Sequence, residues 1–117
     1  MLPNRMNLSK TTEDQLKLLK QRTGISPNVS SRIAFFRSIE AGFTYSSESA
    51  KKLDGSLVLD KVTWLGETQL VTELVLKQVY PKLDDKETMA AWAAHVEDGI
   101  SSIRNHKSLL DLANTLK

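Results

Sequence analysis

The chain has 117 residues, of which 40% are hydrophobic and 26% charged, with a formal net charge of +2 and no cysteine. That length gives one domain, residues 1–117, with room for a core; the composition excludes disordered and low-complexity classes, and the missing cysteine excludes disulfides, thiolate catalysis and thiolate metal sites. The charge is uneven: residues 1–37 hold seven basic groups against two acidic, a net of +5, and residues 38–117 come to −3, so the N-terminal third is either a polyanion-binding face or a solvated basic helix.

Arg5 to Lys10 alternates polar and apolar residues, which predicts a short extended segment with Met6 and Leu8 turned inward. Thr12-Glu13-Asp14-Gln15 has the spacing of a capping box and predicts a first helix from Thr12 to Gly24, with Leu16 and Leu19 on one stripe and Glu13, Lys17 and Lys20 on another. Ser26-Pro27 predicts the next start, and a helix to about Ala41 with Gly42 as its stop. Its wheel places Val29, Ile33, Phe35, Phe36 and Ile39 inward and Ser30, Ser31, Arg37 and Ser38 outward. Arg32 projects from the apolar arc, either bound at a helix or subunit contact or reaching a nucleic acid.

Residues 43–66 fit a hairpin around Asp54-Gly55 or a loop. A helix from about Glu67 to Pro81 carries Leu70, Val71, Leu74, Val75 and Val79 on one face and Leu76 on the other, the pattern of a helix held between neighbours or subunits. Asp84-x-x-Glu87 starts a longer helix through Met89, Trp92, Ala93, Val96, Ile100 and Ile103, and a short helix near Leu109 to Leu116 closes the chain. The expected fold class is mainly α: a small helical domain with a short N-terminal extended segment, oligomeric because helix apolar residues point two ways.

Catalytic groups are sparse. His95 and His106 match no zinc spacing, so no metal or cofactor is expected, and the glycines form no phosphate loop. His95 and Asp98 lie three apart on one face, yet no serine is marked as a nucleophile, so no catalytic residue is assigned. No apolar run reaches the roughly 18 residues of a membrane span and the first ten residues lack a signal peptide's apolar core, which points to the cytoplasm.

A strand followed by two helices across Gly24 resembles the start of a ribbon-helix-helix fold, or else is a plain helical hairpin. More specifically, Leu18-Leu19-Lys20-Gln21-Arg22-Thr23-Gly24-Ile25-Ser26-Pro27-Asn28, continued by Arg32-Ile33-Ala34 and Ser38-Ile39-Glu40, resembles the DndE family of DNA sulfur modification proteins. The resemblance implies a helical component of bacterial DNA phosphorothioation, in which sulfur replaces a non-bridging backbone oxygen. It further implies a homotetramer that binds duplex DNA, nicked duplex in preference, through surface lysines, while partner proteins of the system carry the sulfur and ATPase chemistry.

The residues offer a matching face. Lys17 and Lys20 share one face of the first helix, Lys10 sits just before it and Arg22 at its far end, and Ser26 and Asn28 open the second, where a helix N-terminus suits a phosphate. Lys51 and Lys52 rank behind them. Two alternatives stand: a ribbon-helix-helix-like regulator reading bases with Arg5, Asn7 and Ser9, and a protein scaffold without DNA contact.

Overall fold

Ser9 stands in extended backbone and its hydroxyl accepts the Thr12 N–H at 3.2 Å, which starts α1 (Lys10–Thr23) in the computed structural model, whose described residues are 1–103. The helix therefore begins earlier than the Thr12 capping box predicts. Ser9 already satisfies the orphan N–H groups of the first turn, and Thr12, now inside the helix, turns its hydroxyl to Glu97 Oε2 at 3.2 Å. Leu16 and Leu19 face the core as expected, and Gly24 ends the helix at φ 78°, a conformation other residues adopt only at a cost.

α2 (Pro27–Glu40) starts with Pro27 in the first turn, as predicted, and buries Phe35 as expected, with Ile33, Phe36 and Ile39 packed against the core, but it also buries the serines expected to face outward. Ser30, Ser31, Ala34, Phe35 and Ser38 are buried, while Val29 is exposed and Ile33, Phe36 and Ile39 are half-buried. The cause is the approach of α5 (Asp85–Ile103), the main packing partner of α2. At their crossing the Gly99 backbone lies against the Ala34 carbonyl, and a Cβ at position 99 would fall far inside contact distance of that oxygen. Only small side chains fit between axes this close, and Ser31 and Ser38 find acceptors there: Ser31 Oγ donates to the Asn28 carbonyl at 2.7 Å and Ser38 Oγ to Asp98 Oδ2 at 2.8 Å.

Residues 43–58 form a loop rather than a hairpin around Asp54-Gly55, and regular structure begins again at residue 59. A 3₁₀ turn (Ser47–Ser49) leads through an extended stretch to β2 (Leu59–Asp60), which pairs antiparallel with β1 (Arg5–Met6), Arg5 opposite Asp60 and Met6 opposite Leu59. α3 (Lys61–Leu65), a 3₁₀ turn and α4 (Gln69–Val79) follow. Asp84 Oδ1 accepts the Glu87 N–H at 2.8 Å at the start of α5, the cap the sequence predicts. The short helix expected near Leu109 to Leu116 lies outside the described residues.

The core gathers Leu2, Met6 and Leu8 from the N-terminal segment, Leu16 and Leu19 from α1, Phe35 from α2, and Val96, Ile100 and Ile103 from α5 around two tryptophans. Trp64 and Trp92 meet edge to face at 5.5 Å, and the Trp64 indole N–H donates to the Met6 carbonyl at 2.8 Å.

Arg32 resolves as a structural residue. Its Nε donates to the Trp64 carbonyl at 2.8 Å and its Nη2 to the Thr63 carbonyl at 3.0 Å, so the guanidinium covers the last carbonyls of α3 and lies against Gly66. Arg32→Met is expected to lower stability by about 1–3 kcal/mol, read as an earlier urea midpoint at unchanged slope, because two carbonyls lose charged donors.

α4 shows apolar residues on two faces, as its pattern predicts, with the Leu76 face turned inward. Thr72, Glu73 and Leu76 are buried, whereas Leu70, Val71 and Leu74 stand 70%, 51% and 57% exposed. The polar face wins the interior because the Glu73 carboxylate has partners there: it accepts the Leu2 N–H at 3.1 Å, Lys61 Nζ at 3.3 Å and Gln69 Nε2 at 3.3 Å. Burial opposes its ionisation, but these donors hold the carboxyl below its ordinary value.

Candidate nucleic-acid interface

The six residues selected from the sequence fall on α1 and at the adjoining start of α2. Lys10, Lys17, Lys20 and Arg22 are all exposed. At the helical rise, Lys10 and Lys20 lie roughly 15 Å apart along the axis, and Lys17 shares a face with each. Lys20 and Arg22 also stand in the last turn, where cations complement the helix dipole.

Lys17 is not a bare charge: its Nζ lies 3.3 Å from Glu13 Oε2. Glu13 is buried and accepts the Leu57 N–H at 2.6 Å and the Ser56 hydroxyl at 3.2 Å, which fastens the loop before β2 to α1. Burial opposes the charge, and the hydrogen bonds from Leu57, Lys17 and Ser56 outweigh it, holding the carboxyl below its usual range. Glu13 thus leaves the polar stripe on which its spacing to Lys17 and Lys20 puts it, because its carboxylate meets the donors of Ser56 and Leu57, which lie far off in sequence.

At the start of α2 the Ser26 side chain makes no cap hydrogen bond, and Pro27 has no N–H, so the amides of the first turn carry no side-chain cap. Asn28 is committed elsewhere, its Nδ2 donating to the Thr63 carbonyl at 3.2 Å. Of the second-rank lysines, Lys51 pairs with Glu97 Oε1 at 2.8 Å, while Lys52 is exposed.

The residues of the base-reading alternative are engaged within the chain. Arg5 Nη1 donates to Asp60 Oδ1 at 3.0 Å, Asn7 Nδ2 to the Leu53 and Gly55 carbonyls at 2.9 and 3.1 Å, and Ser9 caps α1. Such bonds hold the strand and loop together and leave these side chains little freedom to meet base edges.

His95 and Asp98 are joined through Ser38 rather than directly. Ser38 Oγ donates to Asp98 Oδ2, so it accepts from His95 Nδ1 at 2.9 Å, and His95 Nε2 accepts the Tyr80 hydroxyl at 2.7 Å. Tyr80 in turn accepts the Tyr45 N–H at 2.7 Å. This direction of donation leaves the imidazole no lone pair for the serine proton, and Ser38 and His95 are fully buried. Burial pushes the His95 pKa down to about 4 despite the Asp98 charge nearby. Among the described residues no cluster of three or more potential metal ligands occurs. A cleft of about 330 Å³ beside α5 is lined by Phe43, Leu53 and Ala93 with Glu97 and Asp98, carboxylates that disfavour a phosphate.

A family model described as "DNA sulphur modification protein DndE" matches residues 5–111. Among solved structures, this chain is similar to DndE from Escherichia coli B7A, involved in DNA phosphorothioation modification, at 66% identity and TM-score 0.86 over 90% of this chain and 100% of that one. It is likewise similar to a glycine-to-lysine mutant of DndE involved in DNA phosphorothioation, at 63% identity and TM-score 0.84 over 88% of this chain and 99% of that one. No match was found among curated proteins.

Proposed function

The chain belongs to the DndE family of DNA sulphur modification proteins, and from that premise we propose that it is a non-catalytic subunit of the phosphorothioation machinery that binds duplex DNA, nicked duplex in preference, as a homotetramer. It acts beside the other DNA sulfur modification proteins in the cytoplasm, and no described helix is long and apolar enough to cross a membrane. The observation that carries the reading is the exposed row of Lys10, Lys17 and Lys20 along α1, continued by Arg22. Lysines spaced over two to three helical turns suit a run of backbone phosphates, and repetition in an oligomer multiplies the number of phosphates reached. Lysine is a mobile point charge, so this face supplies affinity without base readout.

The test is fluorescence anisotropy with intact and nicked duplexes of one sequence across a salt series. Tighter binding to the nicked duplex with a steep salt dependence supports the reading; no binding at low salt removes it and favours a scaffold. Lys17→Ala with Lys20→Ala is expected to weaken binding and to flatten the salt slope by about 0.9 for each phosphate that is no longer neutralised. Lys20 should account for more of the weakening than Lys17, since part of the Lys17 charge is spent on Glu13. Unchanged affinity in the double variant would move the interface off α1.

A further inference from the structure

We propose that the cleft beside α5 is a binding site for an organic cation, an ammonium or guanidinium head on an aliphatic stem, with Asp98 as the group that holds the head. The site is independent of the DNA reading, since none of its residues belongs to the basic row of α1. The cleft has a volume of about 330 Å³, enough for such a group and within the usual range of small-molecule pockets. Its α5 wall follows one face of the helix, from Ala90 through Ala94 to Asp98 and Ser101, a length of roughly 16 Å at the helical rise. The alanines at 90, 93 and 94 keep this space open, because larger side chains on the same face would fill it.

The class of ligand follows from what the polar lining already holds. Glu97 is spent: Oε1 pairs with Lys51 Nζ at 2.8 Å, and Oε2 accepts the Thr12 hydroxyl at 3.2 Å. Asp98 is not, for Oδ2 accepts the Ser38 hydroxyl at 2.8 Å but among the described residues its carboxylate forms no ion pair. Lys51, Glu97 and Asp98 are the charged residues of the lining, so the cleft carries one uncompensated negative charge. A single cationic head neutralises it, an anion meets repulsion, and a neutral ligand leaves it unanswered. Ala94 stands one helical turn before Asp98, and Phe43 and Leu53 complete the apolar walls. An aliphatic stem lying against these side chains is shielded from water while its head reaches Asp98, the division of labour that lysine and arginine side chains show on protein surfaces.

The test is an NMR titration of the isotope-labelled full chain with putrescine, N-acetyl-lysine amide, N-acetyl-arginine amide and, as a neutral match, butanol, with circular dichroism to verify that each variant is folded. The cations are expected to shift the amides of Ala90 to Ser101 and to bind roughly tenfold more tightly than butanol. Asp98→Asn keeps an oxygen to accept from Ser38 and should weaken the cations roughly tenfold. Ala94→Leu should abolish binding by filling the cleft, whereas Lys51→Met should tighten it severalfold by freeing the charge of Glu97. Putrescine bound more tightly than the two amides identifies a free polyamine as the source of the cation; the reverse order identifies a basic side chain of another protein. No binding of any cation at millimolar concentration, or butanol bound as tightly, overturns the proposal. So does cation binding indifferent to Asp98→Asn and Ala94→Leu.

Discussion

Gly99→Ala is expected to lower the unfolding free energy by about 2–4 kcal/mol, although alanine is the better helix former in isolation. The new methyl group meets the Ala34 carbonyl, which belongs to the backbone of α2 and cannot rotate away. Relief requires moving α2 off α5, and that separation loosens Phe35 from the core and lengthens the Ser38–His95 and Ser38–Asp98 hydrogen bonds together. Thermal denaturation would report the change as a midpoint lowered by about 10–20 °C for a domain of this size. Gly24→Ala provides the contrast: nothing lies near that position, and the cost is only that of a left-handed backbone, about 1 kcal/mol. Equal effects at the two sites would show that α2 and α5 tolerate separation.

Acidification below neutrality is expected to weaken the fold well before the carboxylates titrate, because His95 is held neutral. Its pKa lies near 4 in the folded protein against 6.5 in an unfolded chain, so the unfolded state takes up the proton first. The stability this contributes is complete above pH 6.5 and disappears as the pH falls toward 4, to a total of about 3 kcal/mol. Protonation would force Nε2 to donate toward Tyr80, whose oxygen already accepts from Tyr45, and would place a charge among Phe35, Phe43 and Tyr80. Glu13 and Glu73, with pKa values lowered by their donors, contribute stability above 4.5 that is lost only as the pH falls further. The interval from pH 6.5 to 5 thus belongs to the histidine. Urea unfolding at pH 7.5, 6 and 5 should give a falling midpoint in the parent and a nearly level one in His95→Gln; a parallel fall in both would place the sensitivity elsewhere.

Local chemistry was legible in the sequence, and so was the family. Gly24, Ser26-Pro27 and Asp84-x-x-Glu87 mark helix ends that the structure keeps, because caps depend on residues within one turn. Inside and outside were legible only in part: Phe35 of α2 and the two apolar faces of α4 follow the pattern, whereas the buried Ser30, Ser31 and Ser38, and Thr72 and Glu73, do not. Hydrophobic periodicity assumes that the apolar side faces the core, but at α2 the deciding quantity is distance: Gly99 admits serines and alanine where phenylalanine would not fit. At α4 it is Glu73, whose partners Leu2 and Lys61 lie far off in sequence and leave no mark near it. The site was legible as a basic row but not in its pairings, since the bond between Lys17 and Glu13 also depends on a loop more than 40 residues later.

The N-terminal segment illustrates another effect of long-range closure. Leu2, Arg5, Met6, Asn7 and Leu8 have hydrogen-bond partners between Leu53 and Glu73. On a ribosome, these residues emerge before their partners and wait roughly 3–15 s for the chain through Glu73 to be made. During that interval Leu2, Met6 and Leu8, all buried in the finished fold, have no native surface to join. The nascent chain therefore carries an unsatisfied apolar segment until residue 73 has been made, an early binding point for chaperones, and translation pauses between residues 8 and 73 should depress the yield of folded protein more than pauses after it.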